Sequence, residues 1–170
     1  MPWRKRRQAG WLGAGRVFAA VHNETPCHGT DPGVIQRKGE TYMPLVRIFL
    51  RAGRSAEYRR ALGDGVHRAL VEALAIPPDD HFQVISEHGA SDLIFDPQYL
   101  GVQRSDGVVF VQITLSCGRK PQQKRKLFER MAAILEKSPG LPPRDLFVSL
   151  VETSWENWSF GNGEAQYMDH

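Results

Sequence analysis

The sequence predicts an α/β (α+β) domain in which two fused β-α-β units form a four-stranded sheet with two helices on one face. Three observations carry this expectation. Apolar runs of strand length are followed by segments whose apolar residues recur at helical spacing. The pattern of residues 44–100 is repeated over residues 101–170. A Gly- and Asp-containing stretch around Asp92 to Gly107 joins the two halves. A parallel pair of strands requires a crossover, here a helix, and the crossover is right-handed.

Residues 1–43 stand outside this pattern. They carry seven Lys/Arg against three Asp/Glu, whereas residues 44–170 carry fifteen against sixteen, so the basic character of the chain belongs to the first segment. Gly, Pro, His and Arg are scattered there with neither helical nor strand periodicity, as expected of a disordered leader. Arg4-Lys5-Arg6-Arg7 before the mildly apolar Trp11 to Val21 stretch leaves a targeting role open, although Arg16 interrupts it and no clean cleavage site follows. A basic tail for nucleic acid or membrane is a further reading. We favour a leader or extension ahead of a true start at Met43-Pro44. Arg37-Lys38-Gly39-Glu40 is encodable by a purine-rich run like a bacterial ribosome-binding site.

Residues 44–170 form the expected folded domain, long enough for its own core. Pro44 opens the first strand, to Leu50, and a proline is tolerated at a strand's first position because the missing donor faces no partner. Ser55 is the N-cap of the first helix, in which Leu62, Val66, Leu70 and Leu74 share a face. Phe82 to Ser86 is the second strand. Val108 to Leu115 is the third. Pro121 suits the first position of the second helix, whose apolar stripe is Leu127, Phe128, Met131, Ile134 and Leu135. Leu146 to Val151 is the last strand. The sheet face away from the helices is left with apolar residues, which implies burial against other subunits.

No apolar run approaches the roughly 20 residues that span a bilayer. Cys27 and Cys117 fall on opposite sides of Met43, so no disulfide is expected and a reducing cytoplasm is the natural setting. Cys117 reads as a small filler rather than a nucleophile. The six histidines lack metal-ligand spacing. We expect no metal and no other cofactor.

Pro44 has a second reading. If it were N-terminal, its secondary amine would act as acid, base or nucleophile, whereas an internal proline nitrogen is a tertiary amide with no proton to give. Met43-Pro44, the repeated β-α-β order, Ile76-Pro77-Pro78-Asp79-Asp80-His81-Phe82-Gln83 and Trp158-Ser159-Phe160-Gly161 together resemble the tautomerase superfamily, most of all its malonate semialdehyde decarboxylase branch. The resemblance covers residues 44–170. It implies a homotrimer acting on a small carboxylate substrate, with no nucleic-acid or membrane partner.

The resemblance also implies a set of site residues. Pro44 matches the amino-terminal catalytic proline, and Asp80 the catalytic aspartate, with Asp79 as second choice. Arg119 matches the second of two arginines separated by one residue, while Cys117 stands where the first belongs. A guanidinium at a strand end suits bidentate capture of a carboxylate. Trp155, Trp158 and Phe160 are expected to supply an apolar wall or to pack. The expected reaction is decarboxylation of a small 3-oxo acid, with enol–keto tautomerisation of 2-hydroxydienoate or phenylpyruvate-type substrates as the alternative. The cis-3-chloroacrylic acid dehalogenase branch fits less well, its additional His and Glu positions having no clear match. A non-catalytic trimer with a basic N-terminal tail is the reading from a different class.

Overall fold

The computed structural model describes residues 43–168, so the expectations for residues 1–42 lie outside the described residues. Four strands and two helices follow one another as β1 (Leu45–Arg51), α1 (Ala56–Leu74), β2 (Phe82–His88), β3 (Val109–Ser116), α2 (Pro121–Lys137) and β4 (Leu146–Thr153). The sheet order is β2-β1-β3-β4. Within each half the strands are parallel, Leu45 opposite Phe82 and Val109 opposite Leu146. The halves meet through the antiparallel β1–β3 pair, in which Leu45 lies opposite Thr114.

Local chemistry sets the helix ends. Ser55 Oγ accepts from the Tyr58 N–H at 3.2 Å, which satisfies one of the donors left open in the first turn of α1. Ala75 ends that helix in the left-handed conformation, its N–H donating to the Val71 carbonyl. Pro121 opens α2, and Gln123 Oε1 reaches back to accept from the Lys120 N–H at 2.9 Å.

The core lies between the helices and one face of the sheet. Val46, Ile48 and Leu50 of β1 and Val109, Val111, Ile113 and Leu115 of β3 point into it, alternating with residues on the other face. Leu62, Val66, Leu70 and Leu74 meet them from α1, and Leu127, Met131, Ile134 and Leu135 from α2. Phe128 departs from the expected stripe: it is 38 % exposed, because it falls beyond the edge of the face that α2 turns to α1 and the sheet. The two helices approach closely at Gly65, where an added Cβ would lie 2.6 Å from Leu135 Cδ2. Glycine in a helix interior costs about 0.5–1 kcal/mol, so its use here reflects that approach.

The joint between the halves is pinned by Asp145, just before β4. Its buried carboxylate accepts from the Ser105 N–H at 2.6 Å and from Ser105 Oγ at 2.7 Å. On the open face, register places Phe49, Phe110 and Phe147 in one row across three strands. The Phe110 and Phe147 rings meet edge to face at 5.1 Å.

Leu70 is 1 % exposed within this core. Leu70→Ala is expected to cost about 2–5 kcal/mol through lost transfer energy and the cavity left behind. Urea unfolding checks this as a lower midpoint at unchanged slope.

Candidate active site

The strand directions gather chemistry at one end of the sheet. The parallel β1–β2 pair brings the starts of both strands together, and the antiparallel β1–β3 pair sets the end of β3 beside the start of β1. The end of β4 follows, because it is parallel to β3. Pro44, just before β1, and Asp80, just before β2, therefore reach the same end as Arg119, just after β3, and the aromatic segment after β4.

Pro44 is buried, and its neighbour Met43 lines a cavity of about 520 Å³. Leu45, Arg47, Phe82 and Thr114, all on the open face, line this cavity with Thr153, Asn157, Trp158 and Phe160. Of the predicted site residues, Trp158 and Phe160 form part of its wall, whereas Pro44, Asp80, Arg119 and Trp155 do not. Trp155 sits one turn earlier, on the short 3-10 turn Trp155–Asn157.

Asp80 and Asp79 differ in burial. Asp79 is exposed, while Asp80 is half-buried and its Oδ1 has no hydrogen-bond partner among the described residues. Desolvation raises the Asp80 carboxyl above the ordinary aspartate range, His67 opposes that rise and Asp79 adds to it. His67 also holds the loop in place. Its Nε2 donates to the Pro78 carbonyl at 2.9 Å, and its ring stacks on His81 at 4.3 Å.

Arg119 follows Gly118, whose φ of 111° suits a residue without a side chain and turns the chain from β3 toward α2. The guanidinium donates to the Ser116 carbonyl at 2.7 Å, and the Cys117 N–H donates to the Thr153 carbonyl at 3.1 Å, tying the loop to β4. Desolvation lowers the Arg119 pKa, with Glu152 and Tyr167 opposing it. Glu152 itself pairs with Lys124, Oε2 to Nζ at 2.6 Å.

Cys117 corrects an expectation. It is disulfide-bonded, and its partner lies outside the described residues. Counting one cysteine in residues 44–170 left it no partner, which the bond overrides. Thiolate chemistry at Cys117 is therefore closed while the bond stands. Among the described residues, no group of three His, Cys, Asp or Glu side chains is placed to hold a metal ion.

Tyr167 is the residue that sequence reasoning missed. Its hydroxyl oxygen accepts from the Met43 N–H at 3.0 Å. Its ring meets Phe160 edge to face at 4.8 Å, and Phe160 stacks on Trp158 at 5.7 Å. Burial raises the phenol's pKa, the Met43 bond lowers it, Asp80 raises it and Arg119 lowers it. The phenol thus hydrogen-bonds the residue before Pro44 and lies within electrostatic reach of both charged groups. Its only signal in the sequence is an aromatic seven residues beyond Phe160, in a stretch without periodicity.

Two family profiles, each described as tautomerase enzyme, match residues 44–103 and 80–161. The Bacillus subtilis (strain 168) protein called probable tautomerase YusQ is 37 % identical over 127 residues, spanning 75 % of this chain and 100 % of that protein. A solved malonate semialdehyde decarboxylase inhibited by 3-bromopropiolate is 41 % identical, with a TM-score of 0.69 over 74 % of this chain and 95 % of that one. A second malonate semialdehyde decarboxylase, solved in wild-type, mutant and inactivated forms to explain decarboxylase and hydratase activities, is 33 % identical with a TM-score of 0.69, covering 74 % and 96 %. Among the described residues no helix is long and apolar enough to cross a membrane. With the strand order, the two-helix layer and full-length similarity to such a relative, the chain belongs to the tautomerase superfamily.

Proposed function

We propose that this protein decarboxylates a small 3-oxo acid such as malonate semialdehyde, with Pro44 acting as an amino-terminal amine. The observation that carries the reading is the Tyr167 hydroxyl's hydrogen bond to the Met43 N–H, next to Pro44, at the end of the sheet that also carries Asp80 and Arg119. The similarity to two malonate semialdehyde decarboxylases supports the same branch.

The chemistry requires the Met43–Pro44 bond to be absent. A free α-amine has an ordinary pKa of about 7.7–8.0, and a secondary amine is more basic. Asp80, with a buried oxygen that has no donor among the described residues, would hold Pro44 as a cation. Arg119 orients the substrate carboxylate out of the carbonyl plane. The bond between C1 and C2 then breaks, carbon dioxide leaves, and the electron pair forms an enol whose oxygen takes the Pro44 proton. In a second route the neutral Pro44 amine adds to the C3 carbonyl, the oxygen leaves as water, and the resulting iminium accepts the pair to give an enamine that water then hydrolyses. The apolar wall of Trp158 and Phe160 excludes water and favours loss of a neutral molecule from a localised charge.

Enol–keto tautomerisation by a neutral Pro44 is the second reading, favoured by the name of the Bacillus relative. We read the Phe49, Phe110 and Phe147 row as part of a homotrimer interface, and residues 1–43 as a leader removed before the 44–170 domain works. We assign it to the cytoplasm, a setting in which the Cys117 disulfide would have to be reduced. No nucleic acid, membrane or cofactor enters this reading.

Protein beginning at Pro44 is expected to release carbon dioxide from malonate semialdehyde, with a rate that falls as pH rises through the amine's pKa. Protein retaining Met43 is expected to be inactive. Tautomerisation of phenylpyruvate enol that rises with pH, without decarboxylation, would establish the second reading instead. Arg119→Ala is expected to lower decarboxylation at least 100-fold while leaving the thermal midpoint within a few degrees, measured by kinetics and circular dichroism.

Asp80 gives a prediction with opposite signs for stability and activity. Its folded carboxyl pKa is raised, so the folded state binds more protons than the unfolded chain between the two pKa values. Stability falls as pH rises through that window and stays lower above it. In protein retaining Met43, Asp80→Asn is therefore expected to raise the urea midpoint at neutral pH and to lose that advantage in acid below the carboxylate range; in protein beginning at Pro44, the same change is expected to lower decarboxylation sharply.

A further inference from the structure

Arg119 gives a substrate carboxylate one cation, and part of its donor capacity is already directed to the Ser116 carbonyl. A carboxylate has two oxygens with about four acceptor sites, so a dry site needs further donors to hold it. A neutral donor beside Arg119 is the Tyr167 phenol, close enough for the hydroxyl and the guanidinium to influence each other's charge.

The backbone of Met43 marks where that carboxylate would lie. Its carbonyl carbon is bonded to Pro44 N, its Cα follows, and its N is the atom that Tyr167 Oη holds at 3.0 Å. A 3-oxo acid with its carbonyl carbon beside Pro44 N has the same three-atom span: C3 in place of the Met43 carbonyl carbon, C2 in place of its Cα, and C1 in place of its N. The Met43 N–H thus stands in for the carboxylate end of the substrate. A hydroxyl that accepts from an N–H at that position can turn its own proton toward an oxygen there.

We propose that Tyr167 is a substrate-binding residue that donates a hydrogen bond to the carboxylate held by Arg119, and so selects for an acid group two bonds from the carbon attacked or polarised at Pro44. This rests on the reading of Pro44 as the reacting amine. Packing fixes the aim of the hydroxyl, because the Tyr167 ring lies edge-on to Phe160 and Phe160 stacks on Trp158. Burial and Asp80 keep the phenol protonated at neutral pH, as a donor must be.

The test uses protein beginning at Pro44 and the variant Tyr167→Phe, which keeps the ring and removes the hydroxyl. Malonate, a stable dicarboxylate, is the binding probe and calorimetry the readout, with decarboxylation of malonate semialdehyde measured alongside. The expected result is a malonate Kd about tenfold or more higher in the variant, a KM raised in step, kcat changed by less than about threefold, and an unchanged thermal midpoint. Equal malonate affinity in the two proteins overturns the assignment, as does failure of the parent to bind malonate. A midpoint lowered together with kcat also overturns it, since that marks a packing role. Weaker malonate binding in the variant, with no decarboxylation by the parent, upholds Tyr167 as the anion donor and sinks the proposed reaction alone.

Discussion

The antiparallel pairing of β1 with β3 is the constraint on which the rest depends. Each β-α-β half is parallel within itself, so each has the starts of its strands at one end and their finishes at the other. Fusing the halves through an antiparallel pair, Leu45 opposite Thr114, brings two starts and two finishes to a single end. A parallel joint would have put Arg119 at the far end of the sheet from Pro44. The same pairing puts both helices on one face and leaves the row of Phe49, Phe110 and Phe147 on the other.

At that end the protein retains polar groups that a fold selected for stability alone would satisfy. Asp80 Oδ1 and Trp158 Nε1 are buried without hydrogen-bond partners among the described residues. Buried polar atoms of this kind are uncommon, and each costs free energy unless a ligand or water completes it. Arg51 Nε and His88 Nε2, at the other end of the sheet, are likewise without partners among the described residues, whereas Asp145, 1 % exposed, accepts two hydrogen bonds from Ser105.

Most of the fold was legible in the sequence because its elements announce themselves locally. Ser55, Pro121 and the spacing of Leu62, Val66, Leu70 and Leu74 each carry a signal readable without neighbours, and the helix starts follow them. β2 and β4 run two residues further than the apolar pattern indicated, since pairing with β1 and β3 extends strands past their apolar stretch. Phe128 shows the limit of periodicity, which marks a face but not its edge. The site was legible only where a short motif carried it. Tyr167 has no motif and gains its meaning from a hydrogen bond to Met43, 124 positions earlier in the chain. The Cys117 bridge was hidden for a related reason, because a count of cysteines within one segment cannot see a partner outside it.

The position of Met43 makes the chemistry conditional on one peptide bond. While that bond stands, Pro44 N is an amide nitrogen whose lone pair is delocalised into the Met43 carbonyl, and it can neither bind nor release a proton. The same residue lines the cavity and donates its N–H to the Tyr167 hydroxyl, so on the proposed reading it takes up substrate space as well as silencing the amine. Both effects end together when the chain begins at Pro44. Neither depends on a conformational change, since the strands, the Asp80 loop and the Arg119 turn are held by their own hydrogen bonds to His67, Ser116 and Thr153. On the proposed reading, cleavage before Pro44 would free the amine, while the Cys117 disulfide, whose partner lies outside the described residues, would also have to be reduced for the severed segment to leave.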